Sequence, residues 1–373
     1  MTPPEWAYAA ALAALPYMEW DRLAPMVADG GPRKAWERVC SGEAGPAWAR
    51  AARSTSVEEV AEAHGASGVS VHVRGDASYP SALDTDPEAP AVLFSRGCME
   101  ALDRPRVGIV GTRRCSGYGT DVARHLGRQL AAAGVAVVSG LALGIDGAAH
   151  EGALASGGAA PVGVVANGLD VAYPRRHARL IGRVAGSGAL LSEAPVGCRP
   201  EAWRFPARNR LIAALSQVLV VVESHRAGGS FHTVRAAAQR GVVVMAVPGP
   251  IWSPSSAGTN QLLSEGCPPV CDAADVLVAL ALESAGHPPS PCLHAVHPDN
   301  RPVPTGEAAT VLDALDWQPS SPDQVLARTG LSPGRVAVLL AGLERDGWAR
   351  GRGGWWERVP PPPTAGGRSP GAF

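Results

Sequence analysis

The sequence has almost no lysine and no excess of charge of either sign. Lys34 is the only lysine among 33 basic residues, which stand against 34 acidic ones, so the net charge is −1. This balance excludes a generally basic protein of the histone type. It does not exclude a concentrated basic groove, because binding partners respond to the local potential rather than to the total charge.

A regular cysteine framework and long apolar segments are missing as well. The seven cysteines are irregularly spaced and odd in number, which indicates reduced thiols in a cytoplasmic protein. The apolar run at residues 7–18 follows Glu5, has no basic segment before it and is too short to span a bilayer. We therefore expect a soluble cytoplasmic protein without a membrane partner.

The 373 residues, 46% of them apolar, are enough for two or three domains with sizeable cores. Composition and periodicity change several times along the chain. They predict an N-terminal helical region (1–67), an α/β domain (68–282), a Pro-rich linker (283–306), a winged helix (307–358) and a disordered tail (359–373). The winged helix is predicted from three short helical patterns followed by a hairpin with Gly353-Gly354 at its turn.

The central segment alternates between Val-rich runs and helical patterns from Arg106 onwards. The Val-rich runs are continuous rather than alternating, which is typical of parallel strands whose two faces are both covered by helices. The predicted fold class is therefore α/β: a doubly wound, mostly parallel Rossmann-like sheet, with the helical region before it and the winged helix after it.

Glycines, small hydroxyls and arginines follow the predicted strands. In open parallel sheets ligands bind outside the carboxyl ends of the strands, so these residues should line one crevice. Glycine lets backbone N–H groups approach an anion, helix N-termini add partial positive charge, and arginine pairs with phosphate oxygens. The predicted phosphate-binding rim consists of Gly111, Thr112, Arg113, Arg114, Ser139, Gly140, Arg175, Arg208, Asn209, Arg210, Gly229, Ser230 and Thr233.

Two of these arginines stand where a helix is expected to begin. Arg208 and Arg210 would oppose the partial positive charge of a helix N-terminus, and phosphates between several such ends would offset that repulsion. Trp203 and Phe205 flank them, and bases of single strands stack on aromatic rings beside a positive groove, at about 1–3 kcal/mol per base. Trp203 is the stronger stacking candidate, because Phe205 is equally compatible with packing beneath the helix.

A redox nucleotide fits this rim poorly. The stretch from Gly111 to Gly119 lacks the G-x-G-x-x-G spacing of a dinucleotide fingerprint. The second strand ends in Ser139-Gly140, without the acidic residue that would hold a ribose. We therefore predict no cofactor.

Acid–base and metal chemistry are the alternatives for the remaining polar residues. Asp146 and His150 lie four apart on a predicted helix, where a first-turn acid and a core histidine are the ordinary explanations. Glu193 has no evident nucleophile or metal partner. A zinc reading rests on residues whose spacing fits no standard site: Cys267, Cys271, His287, Cys292, His294 and His297. We predict neither catalytic residues nor a metal site.

Several ordered motifs resemble those of the DNA-processing protein A (DprA, or Smf) family. They are "VGIVGTRRCSGYG", "GLDVAYPRRHARLI", "FPARNRLIAALS" and "GSFHTVRAAAQRG", and the resemblance covers about residues 68–278. It implies an extended Rossmann-like core that binds single-stranded DNA, usually as a homodimer, without catalysis. It also implies partnership with the RecA recombinase, which the family helps to load onto incoming DNA during natural transformation. The family's phosphate-binding Gly-Ser/Thr-Arg motif falls on Gly111, Thr112 and Arg113.

The chain departs from the family pattern at one end of the rim. The usual Ser-Gly-Ser-Leu-Ile-Thr-Ala is replaced at residues 228–234, where the first hydroxyl is lost and Phe231 and His232 enter. Cys267 replaces a small alanine. The third helix of the winged helix offers only Arg335 and Arg345 as basic groups, which favours an auxiliary or protein-contact role over base readout.

Single-stranded DNA binding in support of recombination is the leading functional prediction. One alternative is a Rossmann-like nucleotide phosphoribohydrolase, a group with a Gly-Gly-x-Gly-Thr-x-x-Glu motif. Here Ala236 stands at the position of the glutamate, so the general acid or base is missing. Another alternative keeps the same core as a nucleotide or nucleic-acid sensor.

Overall fold

The computed structural model describes residues 3–226, 228–285, 301–315 and 319–359. Most of the predicted linker and nearly all of the predicted tail lie outside these residues. The first three residues assigned to the linker belong instead to a helix that ends at Ala285. No helix in the described ranges is both long and apolar enough to cross a bilayer.

The N-terminal region is helical, and it packs on the central domain. Its helices are α1 (Glu5–Ala13), α2 (Trp20–Ala28), α3 (Gly31–Ser41), α4 (Pro46–Arg53) and α5 (Val57–Ala66). Buried side chains such as Leu12 and Trp36 share one apolar cluster with Phe94 and Val184 of the following domain. Burial of this shared surface joins the helical region to the sheet.

The central domain contains an eight-stranded mixed sheet. Its strands are β1 (Ser70–Val73), β2 (Val92–Gly97), β3 (Arg106–Val110), β4 (Ala136–Ser139), β5 (Val162–Val164), β6 (Ala189–Ser192), β7 (Val218–Val221) and β8 (Val243–Ala246), in the order β1-β2-β6-β5-β4-β3-β7-β8. Strands β3 to β8 are parallel, whereas β2 is antiparallel to β6 and β1 is antiparallel to β2. The predicted parallel core is confirmed, and the two antiparallel strands at one end of the sheet are an addition that the sequence did not indicate.

Helices cover both faces of the sheet. They are α6 (Gly117–Ala132), α7 (Ile145–Ser156), α8 (Ala178–Ser187), α9 (Arg204–Leu215), α10 (Ser230–Gln239), α11 (Ala257–Ser264) and α12 (Ala273–Ala285). Apolar residues of α6, α7 and α12 form the core on one face, and those of α9, α10 and α11 form it on the other. The chain leaves β3 towards β4 on one side and later returns to β7 on the other, so the strand order reverses between β3 and β7. Ligands of such sheets bind at this reversal.

The C-terminal unit is a winged helix, as predicted. It consists of α13 (Glu307–Ala314), α14 (Pro322–Thr329), α15 (Pro333–Arg345) and a hairpin of β9 (Ala349–Arg352) and β10 (Trp355–Arg358). Its hairpin lies against the start of α6. Arg350 Nη1 donates to Asp121 Oδ2 over 2.8 Å, and the Glu357 carboxylate lies so close to Gly117 that a Cβ there would clash with it at 1.9 Å.

Candidate nucleic-acid interface

An open crevice of about 810 Å³ lies at the strand reversal. The β3–α6 loop, the start of α9 and the β7–α10 connection line it. Nine residues of the predicted rim meet here, together with the flanking Phe205: Gly111, Thr112, Arg113, Arg114, Arg208, Asn209, Gly229, Ser230 and Thr233. The crevice also contains residues outside the predicted list, among them Tyr173, His225 and His232.

The β3–α6 loop is held by its backbone, so its side chains are left to the crevice. Thr112 N–H donates to the Glu223 carbonyl at 2.7 Å, and the Thr112 carbonyl accepts from Ile145 N–H at 3.3 Å. A Cβ at Gly111 would come within 2.5 Å of Ile145 Cγ1, so this close approach requires glycine. Arg113 and Arg114 are exposed, and neither forms an ion pair within the described residues.

Two aromatic rings lie near the Arg113 guanidinium. The Arg113 guanidinium carbon is 4.9 Å from the centroid of the Phe205 ring, and that ring is 5.7 Å from the Tyr173 ring. Tyr173 is 39% exposed although it is a large aromatic residue. The crevice therefore offers cations and exposed ring surface side by side. Tyr173 follows β5 and belongs to the quoted motif "GLDVAYPRRHARLI", which is the signal that could have added it to the predicted list.

Arg208 is part of the floor of the crevice and has a structural role. The expected helix start at Arg208 is wrong, because α9 begins at Arg204 and Arg208 lies in its second turn. Its guanidinium donates to the Gly140 carbonyl at 2.8 Å and to the Val164 carbonyl, and it is 6% exposed. A Cβ at residue 140 would lie 2.6 Å from Arg208 Nη1, which explains the glycine at that position.

A buried acid balances this cation. Asp146 lies in the first turn of α7 and accepts from Gly140 N–H at 3.1 Å. Burial raises the pKa of Asp146, and the nearby Arg208 opposes that rise. Burial likewise lowers the pKa of Arg208 to about 10, so its guanidinium stays charged at neutral pH. The positive charge of Arg208 therefore interacts mainly with groups of the protein itself, namely the buried Asp146 and the backbone carbonyls.

Arg210 does not face the crevice. It is 7% exposed, pairs with Glu193 and donates to the Glu88 carbonyl at 2.6 Å, and its guanidinium lies 4.7 Å from the Trp20 ring centroid. Burial raises the pKa of Glu193 against the attraction of Arg210. This arginine therefore connects α9 to the N-terminal helices, and it also supplies the partner that the sequence left open for Glu193.

Three further residues of the predicted rim, and the flanking Trp203, lie beside the crevice rather than on it. Ser139 is fully buried and its hydroxyl donates to the Ile109 carbonyl at 2.6 Å, whereas Gly140 borders an adjoining small pocket. Trp203 lines a separate pocket, where its ring is stacked by Arg204 at 4.3 Å. Arg175 is exposed directly after Tyr173 and Pro174.

At the divergent end of the rim, residues 228–234, the hydroxyl side chains are buried rather than exposed to solvent. Ser230 and Ser224 hydroxyls lie 2.7 Å apart, and Ser230 and Thr233 are 6% and 1% exposed. Their side chains support the start of α10, whereas His232 lines the crevice.

His150, which the sequence assigned to the core, is fully buried, and burial lowers its pKa to about 4.

Zinc ligation finds no support in the described part of the chain. That part contains no group of three or more His, Cys, Asp or Glu side chains arranged to hold a metal ion. His287, Cys292, His294 and His297 lie outside the described residues. Cys267 packs against the apolar core beside α10 and α11.

Two protein-family models match the sequence of this chain. A family model described as DNA recombination-mediator protein A matches residues 70–281, and one described as the DprA winged helix domain matches residues 295–354. The chain belongs to the DprA/Smf family. A DprA-type DNA processing protein of Mycobacterium tuberculosis is 41% identical over 279 residues, which cover 72% of this chain and 68% of the relative.

Solved DprA structures share the fold of a large part of this chain. DprA of Streptococcus pneumoniae is 30% identical with a TM-score of 0.62, over 74% of this chain and 98% of the other. DNA processing protein A of Helicobacter pylori, described for its single-stranded DNA binding mode, is 30% identical with a TM-score of 0.52, over 59% and 97% of the two chains. The mostly parallel core and the winged helix of this chain are thus those of the DprA/Smf family.

Proposed function

We propose that the crevice binds single-stranded DNA and that the protein is a recombination mediator. In this role it protects incoming single strands and helps to load the RecA recombinase during natural transformation or recombination. It acts in the cytoplasm as a homodimer and catalyses no reaction.

The arrangement of Arg113, Arg114, Phe205 and Tyr173 carries this proposal. Phosphate oxygens pair with the two free guanidinium groups, and neighbouring bases stack on the two rings. Stacking of this kind needs unpaired bases with accessible faces, so the crevice favours a single strand over a duplex.

Roles differ among the residues of the predicted rim. Thr112 contacts the strand through its hydroxyl, Asn209 through its side-chain amide and Gly229 through its backbone, and Arg175 contacts it just beyond Tyr173. Gly111 keeps the loop packed against α7. Ser139, Gly140, Arg208, Ser230 and Thr233 hold the walls in place. The relatives support single-stranded DNA as the ligand, because the H. pylori protein has been described for binding it. The RecA partnership and the homodimer rest on the family resemblance.

Arg113→Ala tests the proposed site. We expect the wild-type protein to bind labelled oligo-dT with an affinity that falls steeply with salt, because phosphate contacts release counterions. Loss of one charge-assisted contact should weaken binding about tenfold or more and reduce the salt slope by about 0.7. Fluorescence anisotropy with a salt titration and an unlabelled duplex competitor measures both quantities.

Arg124→Ala is the charge-matched control, because Arg124 lies on α6 and is paired with Asp121 and Glu151. Equal binding by the Arg113→Ala and Arg124→Ala variants would contradict the proposed site. Release of a free base from a nucleoside monophosphate by the wild-type protein would contradict the absence of catalysis and favour the phosphoribohydrolase alternative.

A further inference from the structure

One surface next to the crevice is strongly basic although the whole chain is nearly neutral. No acidic residue occurs between Asp170 and Glu193. The same stretch contains four arginines, all exposed: Arg175, Arg176, Arg179 and Arg183. None of them forms an ion pair within the part of the chain that the structure describes.

Helix geometry arranges three of these arginines in a row. Arg175 lies in a 3-10 turn directly before α8, and Arg179 and Arg183 lie on α8 itself, four residues apart. Residues four apart share one face of a helix and are about 6 Å apart along its axis. The opposite face is fixed in the core by Leu180, Ile181 and Val184, which are 8% exposed or less. The arginine row therefore faces solvent on a rigid support.

The row begins at the crevice. Tyr173, which lines the crevice, precedes Arg175 by two residues. The turn between them and α8 is fixed to the sheet, because the His177 ring Nδ1 lies 2.9 Å from the Leu141 carbonyl oxygen. Gly182 and Gly186 leave the adjoining surface open, since a Cβ at either position would meet nothing within 4 Å. A chain that leaves the crevice past Tyr173 therefore meets no steric obstacle at these two positions.

Unpaired arginines in a row are not expected of an ordinary solvated helix face. Like charges four residues apart on a helix repel each other by about 0.2–0.5 kcal/mol per pair. On α6, by contrast, Arg124 is neutralised by two acidic partners. A bound polyanion would remove the repulsion on α8, and its phosphates would pair with the guanidinium groups.

We propose that Arg179 and Arg183, following Arg175, bind the phosphates of a single strand that leaves the crevice at Tyr173 and continues along α8. This inference rests on the proposed function of the crevice and extends the site beyond it. A strand that fills the crevice alone does not reach α8, whereas a longer strand does.

The double variant Arg179→Gln/Arg183→Gln tests the extension with oligo-dT strands of about 6 and about 20 nucleotides. The loss of two phosphate contacts should reduce the slope of log affinity against log salt concentration, measured on the long strand, by about 1.4. The ratio of the affinities at about 50 and about 200 mM salt should therefore be about sevenfold smaller than for the wild type. Binding of the short strand should stay unchanged. Arg50→Gln/Arg128→Gln is the matched control, because it removes the same charge from exposed positions on α4 and α6.

Two results would overturn the extension: a long-strand salt slope equal to that of the control, or an equal loss on both strand lengths, which would indicate a general field effect. Arg113→Ala, measured in parallel, distinguishes this failure from failure of the crevice. If the crevice is wrong, Arg113→Ala binds both lengths as the wild type does. If only the extension is wrong, Arg113→Ala is weak on both lengths and the α8 variant is normal.

Discussion

The crevice and the winged helix use arginine in opposite ways. At the rim of the crevice, Arg113 and Arg114 are exposed and have no acidic partner among the described residues. In the winged helix, four arginines form ion pairs: Arg335 with Glu307, Arg345 with Asp346, Arg350 with Asp121 and Arg358 with Asp313. Exposed pairs of this kind contribute little to stability, at about 0–1 kcal/mol each, but they cancel local positive charge.

This difference is the reason why the proposed DNA site lies at the crevice of a nearly neutral chain and not at the winged helix. Both regions are rich in arginine, so residue counts alone do not separate them. Free guanidinium groups beside accessible rings favour a polyanion, whereas paired ones favour contact within the protein. Arg350 makes that internal contact, since it connects the hairpin of the winged helix to α6.

The largest expected effect separates a structural arginine from a ligand-binding one. Arg208→Met leaves the Gly140 and Val164 carbonyls without their donor and Asp146 without its balancing cation. We expect a loss of about 3–5 kcal/mol in the free energy of unfolding, as for other broken buried charge pairs. Urea denaturation followed by circular dichroism measures it.

Arg113→Ala is the control for this effect, because Arg113 is exposed and should change the free energy of unfolding by no more than about 0.5 kcal/mol. If Arg208→Met had the same free energy of unfolding as the wild type, Arg208 would not have the structural role assigned to it and would be a candidate for direct ligand contact.

An intermediate effect is expected from the two aromatic residues around the start of α9. Phe205→Ala should weaken oligo-dT binding by about 1–3 kcal/mol, or about 5- to 150-fold, because Phe205 presents its ring to the crevice. Trp203→Ala should change binding by no more than about twofold, since Trp203 lines a different pocket. Anisotropy titrations of both variants at one salt concentration compare them. The reverse order would return Trp203 to the stacking position that the sequence favoured.

The smallest expected effect concerns the winged helix. Arg335→Gln/Arg345→Gln removes both basic groups of α15, whose charges are already paired, so oligo-dT affinity should change by no more than about twofold. The same anisotropy assay measures it, with Arg113→Ala as the sensitive reference. A tenfold loss would show that the winged helix binds DNA despite its ion pairs and would remove the contrast between the two regions.

The local sequence pattern was sufficient to predict the parallel core and to indicate which loops meet at the crevice. Continuous Val-rich runs between helical patterns predicted β3 to β8, because a strand that is buried on both faces needs apolar residues at consecutive positions. Residues that follow parallel strands meet at one edge, which brought Gly111 to Arg114 together with Gly229. The antiparallel strands β1 and β2 escaped notice, because neither shows a long apolar run. β1 lies at the edge of the sheet and buries only two of its four residues, and β2 ends in the exposed Arg96 and Gly97.

Tertiary packing decided what each arginine does. Arg208 and Arg210 lie two apart on α9, so one motif places them in different surroundings. Arg208 turns to the carbonyls of Gly140 and Val164, and Arg210 turns to Glu193 and Trp20, which lie far away in sequence. Whether a guanidinium stays free depends on acids and carbonyls brought near by the fold, because electrostatic pairing follows distance in space rather than order along the chain.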